Sequence, residues 1–139
     1  MNLRPLTMQD ADFMLKLKNY PETRQFAIAS HEEIDKESHY KWLEKNLQYF
    51  QIIIIDGKDS GAIRIQDYEI SVWVDKEFWK QGIATFVLQH IAKRGMTSKI
   101  VEGNIASMKC FTRAGFEPIE YVTSNNFFDI TNYYIFKKY

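Results

Sequence analysis

Cysteine is almost missing. Cys110 is the only one in 139 residues, which excludes an internal disulfide framework and a cysteine-rich zinc site. The three histidines, His31, His39 and His90, show no ligand spacing with carboxylates, so no metal is expected. Charge of one sign is missing too. The 18 basic and 18 acidic side chains cancel, leaving no electrostatic footprint for nucleic acid or an anionic membrane. No long apolar run exists: the longest aliphatic stretch, Ile52 to Ile55, is far short of a membrane span. The opening MNLRPLTMQDAD lacks an apolar signal core, so a cytoplasmic protein is expected. Proline and glycine are few and scattered, and no linker, repeat or low-complexity stretch breaks the chain, so residues 1–139 read as one domain. Apolar residues are plentiful: 45% hydrophobic and 15% aromatic content is enough to bury a core and excludes disorder.

Residues 2–6 read as a strand, with Thr7 and Asp10 as a capping box for the helix that carries Ala11, Met14 and Leu15 on one face. Pro21 ends or offsets that helix near Tyr20. A second helix is expected from about Lys36 to Asn46, capped by Asp35, with Tyr40, Leu43 and Leu47 as its stripe and His39 and Trp42 flanking. YFQIIIID, 61–66 and 69–75 read as three strands, the first two a hairpin with a loop of a few residues after Asp56-Gly57. Alternation in the third puts Glu69, Ser71 and Trp73 on one face and Ile70, Val72 and Val74 on the other. Ile83, Phe86, Val87, His90 and Ile91 then recur at helical spacing, with Gly95 as the stop. A strand at 98–103, a short helix at 107–115 with Ser107 as its cap, and a final strand pair complete the order β-α-α-β-β-β-α-β-α-β-β. This is an α/β arrangement on a mixed, mostly antiparallel sheet.

The most informative segment is Lys80-Gln81-Gly82-Ile83-Ala84-Thr85, where a strand runs into a helix. A helix N-terminus exposes unpaired N–H groups and the positive end of its dipole, which suits a phosphate. Gly82 lets an anion approach the backbone, Ala84 is small for the same purpose, and Lys80 adds a charge. A helix start with a convenient glycine would read the same. The second segment is Asn104 to Phe116, an amide at a strand end followed by a short helix stopped by Gly115.

Taken together and in this order, the two segments resemble the GCN5-related N-acetyltransferase (GNAT) superfamily. Its pattern is Q/R-x-x-G-x-G/A between a strand and a helix, then a strand, an Asn, and a short helix closing in A/L-G-F. The matching positions are Gly82, Ala84, Asn104, Ser107 and Ala114-Gly115-Phe116, and the order of elements fits over nearly the whole chain. Trp79 stands where Gln or Arg is usual; Phe78-Trp79-Lys80-Gln81-Gly82-Ile83-Ala84-Thr85 resembles the version in ribosomal-protein and sugar acetyltransferases. The resemblance implies a single GNAT-like domain with about seven strands and about four helices, splayed between two central strands.

It also implies acetyl-CoA as the cosubstrate. The pyrophosphate would lie on the amides of Gln81, Gly82, Ile83, Ala84 and Thr85 near Lys80, and the pantetheine arm along Val72, Trp73 and Val74, with Asn104 bonding the arm and Ser107 beside it. A backbone N–H near Val74 would polarise the thioester carbonyl. Transfer would be direct, by attack of a neutral amine. An alkylammonium has a pKa of roughly 10, so a base must take its proton, and Glu69 is the candidate. As a residue near a strand end, Glu69 reads equally as solvated. Many relatives place a tyrosine acid where this chain has Phe111, and Cys110 beside it reads as an inert thiol.

The acceptor is a small-molecule amine on this reading. Asn19, Pro21, Arg24, Ile34, Glu37, His39, Trp42 and Leu43 resemble a pattern in bacterial enzymes that acetylate nucleotide-linked amino sugars, such as the pseudaminic-acid pathway type. Arg24, His39 and Trp42 are therefore candidates for a diphosphate and a base or sugar, although His39 and Trp42 also read as packing residues, and His90 as a core histidine. The aromatic C-terminal third (Tyr121, Phe127, Phe128, Tyr133, Tyr134, Phe136, Tyr139) would line an acceptor pocket or a homodimer interface. Two alternatives stay open: a peptide or protein N-terminal acetyltransferase, and a non-catalytic acyl-CoA sensor on the same fold.

Overall fold

Strands β1 (Asn2–Pro5), β2 (Phe50–Ile55), β3 (Lys58–Gln66), β4 (Glu69–Val74), β5 (Thr97–Val101), β6 (Phe116–Val122) and β7 (Tyr133–Lys138) form one seven-stranded sheet. The computed structural model describes residues 1–124 and 129–139, so Phe127 and Phe128 lie outside the described residues. Five α-helices punctuate the strands: α1 (Ala11–Asn19), α2 (Pro21–Arg24), α3 (Lys36–Glu44), α4 (Ile83–Ile91) and α5 (Ile105–Arg113). The spatial order is β1-β2-β3-β4-β5-β7-β6. Every neighbour is antiparallel except β4 and β5.

Apolar side chains decide which helix covers which face. On the front, Met14 and Leu17 of α1 and Leu43 of α3 pack on Phe50, Ile52 and Ala62, with Trp73 at the margin. On the back, Ile83 and Val87 of α4 cover Ile53 and Ile63, with Val72 and Val74 against them. Leu88 and Phe111 share a third cluster with Ile70, Ile100, Phe116 and Phe136. Both faces of β2 are therefore buried, which is why it is an unbroken isoleucine run rather than an alternating strand.

Local chemistry sets the boundaries. Thr7 N–H donates to Asp10 Oδ2 (3.0 Å), and Arg4 clamps the same carboxylate at 2.8 Å, tying β1 to the start of α1. The helix expected there opens as a 3₁₀ turn, Met8–Asp10. Pro21 ends α1 at Asn19 and starts α2. Asp35 caps α3, its Oδ2 accepting from Ser38 N–H at 3.0 Å. The β2–β3 loop is tighter than expected: only Asp56 and Gly57 intervene, both at positive φ, as a two-residue hairpin turn requires.

Several expectations change. The buried residues of α1 are Ala11, Met14 and Leu17, with Leu15 at the margin, and those of α3 are His39 and Leu43, with Tyr40 and Leu47 only half-buried. The buried stripe of α4 is Ile83, Val87 and Leu88, so Phe86 and His90 face outward. The helix is apolar almost all round, and periodicity could not choose between two overlapping stripes. His90 is thus no core histidine: its ring packs on Phe86 at 4.1 Å, and Nδ1 donates to Phe86 O at 2.7 Å. Next, α4 ends at Ile91, and Gly95, at φ 92°, serves the turn into β5, where its N–H donates to Lys138 O. Finally, α5 starts at Ile105 with Asn104 as its cap, not Ser107; Asn104 Oδ1 accepts from Ser107 N–H at 3.3 Å. Gly103, at φ 90°, turns the chain directly after β5, so the helix begins two residues earlier.

Gly61 marks the closest approach of β3 to β4. A Cβ there would lie 2.2 Å from the Trp73 carbonyl oxygen. Backbone cannot rotate away as a side chain can. Gly61→Ala is therefore expected to lower stability by about 1–3 kcal/mol in urea unfolding. Unaltered stability would mean that β3 and β4 are not held at this spacing.

Candidate functional site

β4 and β5 run parallel, yet only one residue pair joins them, Glu69 with Thr97. Thr97 N–H donates to Tyr68 O there at 2.9 Å. Beyond that bridge the strands part. The direction of the loose backbone groups follows from β3. Asp75 N–H donates to Ser60 O at 2.8 Å, which makes Ala62–Trp73 and Arg64–Ser71 the hydrogen-bonded pairs of the β3–β4 ladder. Trp73 thus spends its backbone groups on β3. Val72 and Val74 alternate with it and turn theirs toward the gap. The carbonyl of Val74 is taken by Trp79 Nε1 at 2.7 Å. The gap is left with the N–H and C=O of Val72 and the N–H of Val74, with no strand partner among the described residues. Asn104 and Ser107 stand half-buried at the end of β5, across the gap. Asn104 Nδ2 has no partner among the described residues, because its Oδ1 alone is used by the cap.

The loop after β4 leads to the N-terminus of α4. Lys80 and Gly82 both sit at positive φ, 64° and 75°. Lys80 and Gln81 are exposed, Ala84 and Thr85 half-buried, and Ile83 is anchored in the core. A Cβ on Gly82 would meet nothing within 4 Å, so the chain is uncovered at the residue that precedes α4. Open space, unpaired amides and a positive dipole end together fit a diphosphate.

A buried carboxylate missed by the sequence reading, paired with an exposed lysine, fixes the base of this loop. Asp75, 4% exposed, directly follows β4. Its carboxylate accepts from the Tyr20 hydroxyl and from Lys16 Nζ at 3.2 Å. Tyr20 meets Trp79 edge to face at 5.7 Å. The end of α1, the end of β4 and the loop are thus one packed unit. Burial works against ionising Asp75, but the Tyr20 hydroxyl and the Lys16 ammonium outweigh it and hold the carboxyl below its ordinary value.

The front face beside the gap carries the remaining candidates. Glu69 is half-buried at the closed end, 3.8 Å from Lys99 Nζ. Lys99 lies over the Tyr133 ring at 5.8 Å, so the three span the front face from β4 to β7. Tyr133 is buried, and burial, then Asp129 and Glu69, raise its hydroxyl pKa, so it stays protonated. Phe111 is edge to face with Phe116 at 4.9 Å inside the core and presents no group to the gap.

The three acceptor candidates do not form one cluster. His39 is 3% exposed beneath α3, and burial, then the Lys18 charge, keep it neutral below the ordinary imidazole value. Trp42, one turn on, is exposed, its ring 6.3 Å from His39. Arg24, on α2, shares no hydrogen bond, ion pair or ring contact with either among the described residues, and its buried Nε lacks a partner. Asn19, from the same sequence pattern, holds the fold together instead. Its amide exchanges two hydrogen bonds with the backbone of Ile34, at 2.8 and 3.1 Å.

Lys18 is the residue that sequence reasoning passed over. Its ammonium lies 3.9 Å from the centroid of Trp42 and 5.6 Å from those of Phe50 and Trp73. No carboxylate is within 4 Å of it among the described residues. Burial, with the charge of Arg64 behind it, brings Lys18 down to about 8.

No group of histidine, cysteine or carboxylate side chains among the described residues could hold a metal, and no helix of theirs is long and apolar enough to cross a membrane. The family profile described as Acetyltransferase (GNAT) domain matches residues 1–117. No curated protein sequence matches the chain. Among solved structures, it is similar to the ribosomal-protein-alanine N-acetyltransferase from Brucella melitensis, at 19% identity and TM-score 0.75 over 99% of each chain. It is similar to a GNAT-family acetyltransferase from Bacillus anthracis, at 13% identity and TM-score 0.78 over 96% of this chain and 91% of that one. It is also similar to AAC(6')-Ib in complex with Parmomycin and AcetylCoA, at 14% identity and TM-score 0.75 over 99% and 92%. At these identities the likeness is one of fold.

The Asp75 anchor predicts a pH signature. A carboxyl held below its unfolded value adds stability above about pH 4, and that stability is lost as pH falls through the folded value. Between pH 6 and pH 3, wild type is expected to lose more stability than Asp75→Asn, read from urea midpoints at each pH. Parallel profiles would show that the carboxylate is not linked to folding.

Proposed function

We propose, for a chain that belongs to the GNAT acetyltransferase family and uses acetyl-CoA as donor, direct transfer of the acetyl group to the primary amine of a small amino sugar, a nucleotide-linked one in the simplest case. The observation that carries the donor half is the gap between β4 and β5, which offers an extended arm the unpaired backbone groups of Val72 and Val74. Its far end opens on the N-terminus of α4. The pyrophosphate would rest on the N–H groups of Gly82 to Thr85, and Asn104 Nδ2 would donate to the arm from the other side. Trp73 would take part through its ring rather than its backbone.

Acetyl-CoA supplies an activated acetyl group, and the chain supplies the rest. Val74 N–H points into the gap and would polarise the thioester carbonyl. Glu69 would take the proton of the incoming ammonium, directly or through a water, since an amine of pKa about 10 is protonated at neutral pH. Phe111 cannot protonate the departing thiolate, so that proton comes from solvent or another side chain. The amino-sugar reading rests on the Arg24 and Trp42 positions of the sequence pattern and on the aromatic wall of Trp42 and Trp73 on the front face.

Two substitutions and one assay test this. Gly82→Glu sets a carboxylate where the diphosphate would rest, and is expected to weaken acetyl-CoA binding at least 100-fold in calorimetry. The apoprotein should melt only a few degrees lower, since a non-glycine residue at this φ costs about 1–2 kcal/mol. Unchanged affinity would sink the loop assignment. Glu69→Gln is expected to cut kcat by about 10²–10⁴ with acetyl-CoA affinity retained. Thiol release with UDP-linked amino sugars, and none with peptides bearing free N-termini, is the expected acceptor profile. The reverse profile would make this a peptide acetyltransferase, and binding without turnover of either would favour an acyl-CoA sensor.

A further inference from the structure

We infer that Lys18 and Arg64 form an oxyanion subsite on the front face of the sheet, which holds a phosphate or carboxylate borne by the acceptor. The inference rests on the transferase reading above only in assigning that anion to the acceptor; the subsite itself rests on the following geometry.

Lys18 reaches from α1 to the centre of an aromatic enclosure made by Trp42 of α3, Phe50 of β2 and Trp73 of β4. Arg64 of β3 lies in the same row of the sheet, paired with Phe50 on one side and Ser71 on the other. Among the described residues its Nε is buried with no partner, and its guanidinium donates one hydrogen bond, to the neutral amide of Gln66. Neither cation has a carboxylate within 4 Å among the described residues. The remaining titratable group facing Lys18 is His39 of α3, which is neutral and offers no negative charge. By sequence, residues 125–128 are Asn, Asn, Phe and Phe, so they bring no carboxylate either.

Two neighbouring cations are thus held partly out of water with no counter-charge. Ring faces attract an ammonium, but they carry no net charge and leave the Lys18–Arg64 repulsion uncancelled. The two most buried carboxylates with cationic neighbours are paired: Asp10 with Arg4, and Asp75 with Lys16. Lys18 and Arg64 have no such carboxylate, and both flank Phe50: Lys18 lies over its ring and Arg64 is its partner across the sheet. An oxyanion with several lone pairs satisfies both, accepting from the guanidinium and from the ammonium together. Both side chains are half-buried, so an ion can reach them.

Position ties the subsite to the acceptor. Arg64 is directly opposite Ser71, and Glu69 lies two residues further along the same face of β4, about 7 Å away. An amine beside Glu69 and an anion on Lys18 and Arg64 therefore fit one small molecule, an amino sugar phosphate or an amino acid, and also the diphosphate of a nucleotide-sugar. A polyamine would be repelled.

The test has two independent readouts. In the first, inorganic phosphate is titrated into the apoprotein while tryptophan fluorescence is followed, since Trp42 and Trp73 border Lys18. A saturable change is expected in wild type, lost at pH 9.5 where Lys18 is neutral, and weakened at least tenfold in Lys18→Met and in Arg64→Met. Retention in both variants would overturn the subsite. Thermal melts identify a variant that fails to fold, and Lys18→Arg, which keeps the charge, is then used: it should still respond at pH 9.5. The second readout is kcat/KM for glucosamine 6-phosphate, a UDP-linked amino sugar, a free amino acid, glucosamine and spermidine. At least one anionic acceptor is expected to exceed glucosamine at least tenfold, through KM, with that ratio collapsing in Lys18→Met. Which anionic arm wins distinguishes phosphate from carboxylate. Equal or better turnover of glucosamine or spermidine would overturn the proposal and leave the transferase reading intact. A phosphate response without turnover of any amine would overturn the transferase reading and leave the subsite standing.

Discussion

The parting of β4 from β5 is the constraint on which the rest of this structure depends. A backbone N–H or C=O inside a fold needs a partner, and strands in a sheet normally supply one another's. Here a single bridge at Glu69 and Thr97 closes one end, and the ladder stops. Had pairing continued, Val72 and Val74 would have no free groups and no extended ligand arm could enter. On the proposed reading, the unsatisfied edge is the feature that would turn an ordinary mixed sheet into one with a slot for an acyl carrier.

An opened sheet must be held open from both sides. On one side Trp79 takes the last carbonyl of β4 with its indole N–H, and Tyr20 and Asp75 lock that loop to α1. On the other, Gly103 and Asn104 turn the chain away into α5 just after β5. Both clamps use polar groups buried or half-buried in packed surroundings, where a hydrogen bond is hard to replace by water. The back face, filled by Ile83, Val87, Leu88 and Phe111, gives these clamps a rigid base.

Charge is distributed to the same end. The chain is neutral overall, yet its few buried ions are not spread evenly. Asp10 and Asp75 are paired and structural, and they fix α1 at both of its ends. Lys18, on the same helix, projects into an aromatic enclosure near Arg64, with no carboxylate within 4 Å among the described residues. A helix anchored at both ends thus carries a cation without a carboxylate partner, which on the proposed reading holds Lys18 in place for a ligand's anion.

What the sequence by itself determined is local. Asp35 as a cap, Pro21 as a break, the alternation of Glu69 to Val74 and the glycine before α4 depend on neighbours a few residues away, and each is legible from propensity and period. Where two local solutions compete, the sequence could not choose: α4 is apolar nearly all round, so Phe86 and His90 fit the stripe as well as Leu88 did, and Asn104 caps as readily as Ser107. Only the tertiary structure decided the rest. That Val72 and Val74 rather than Trp73 turn backbone groups to the gap follows from the β3 register, set by pairing between residues about ten positions apart. That Lys18, Trp42, Phe50, Arg64 and Trp73 converge follows from five elements meeting on one face. No spacing along the chain encodes such a meeting, because the sheet order and the helix faces that create it are fixed by packing of the whole core.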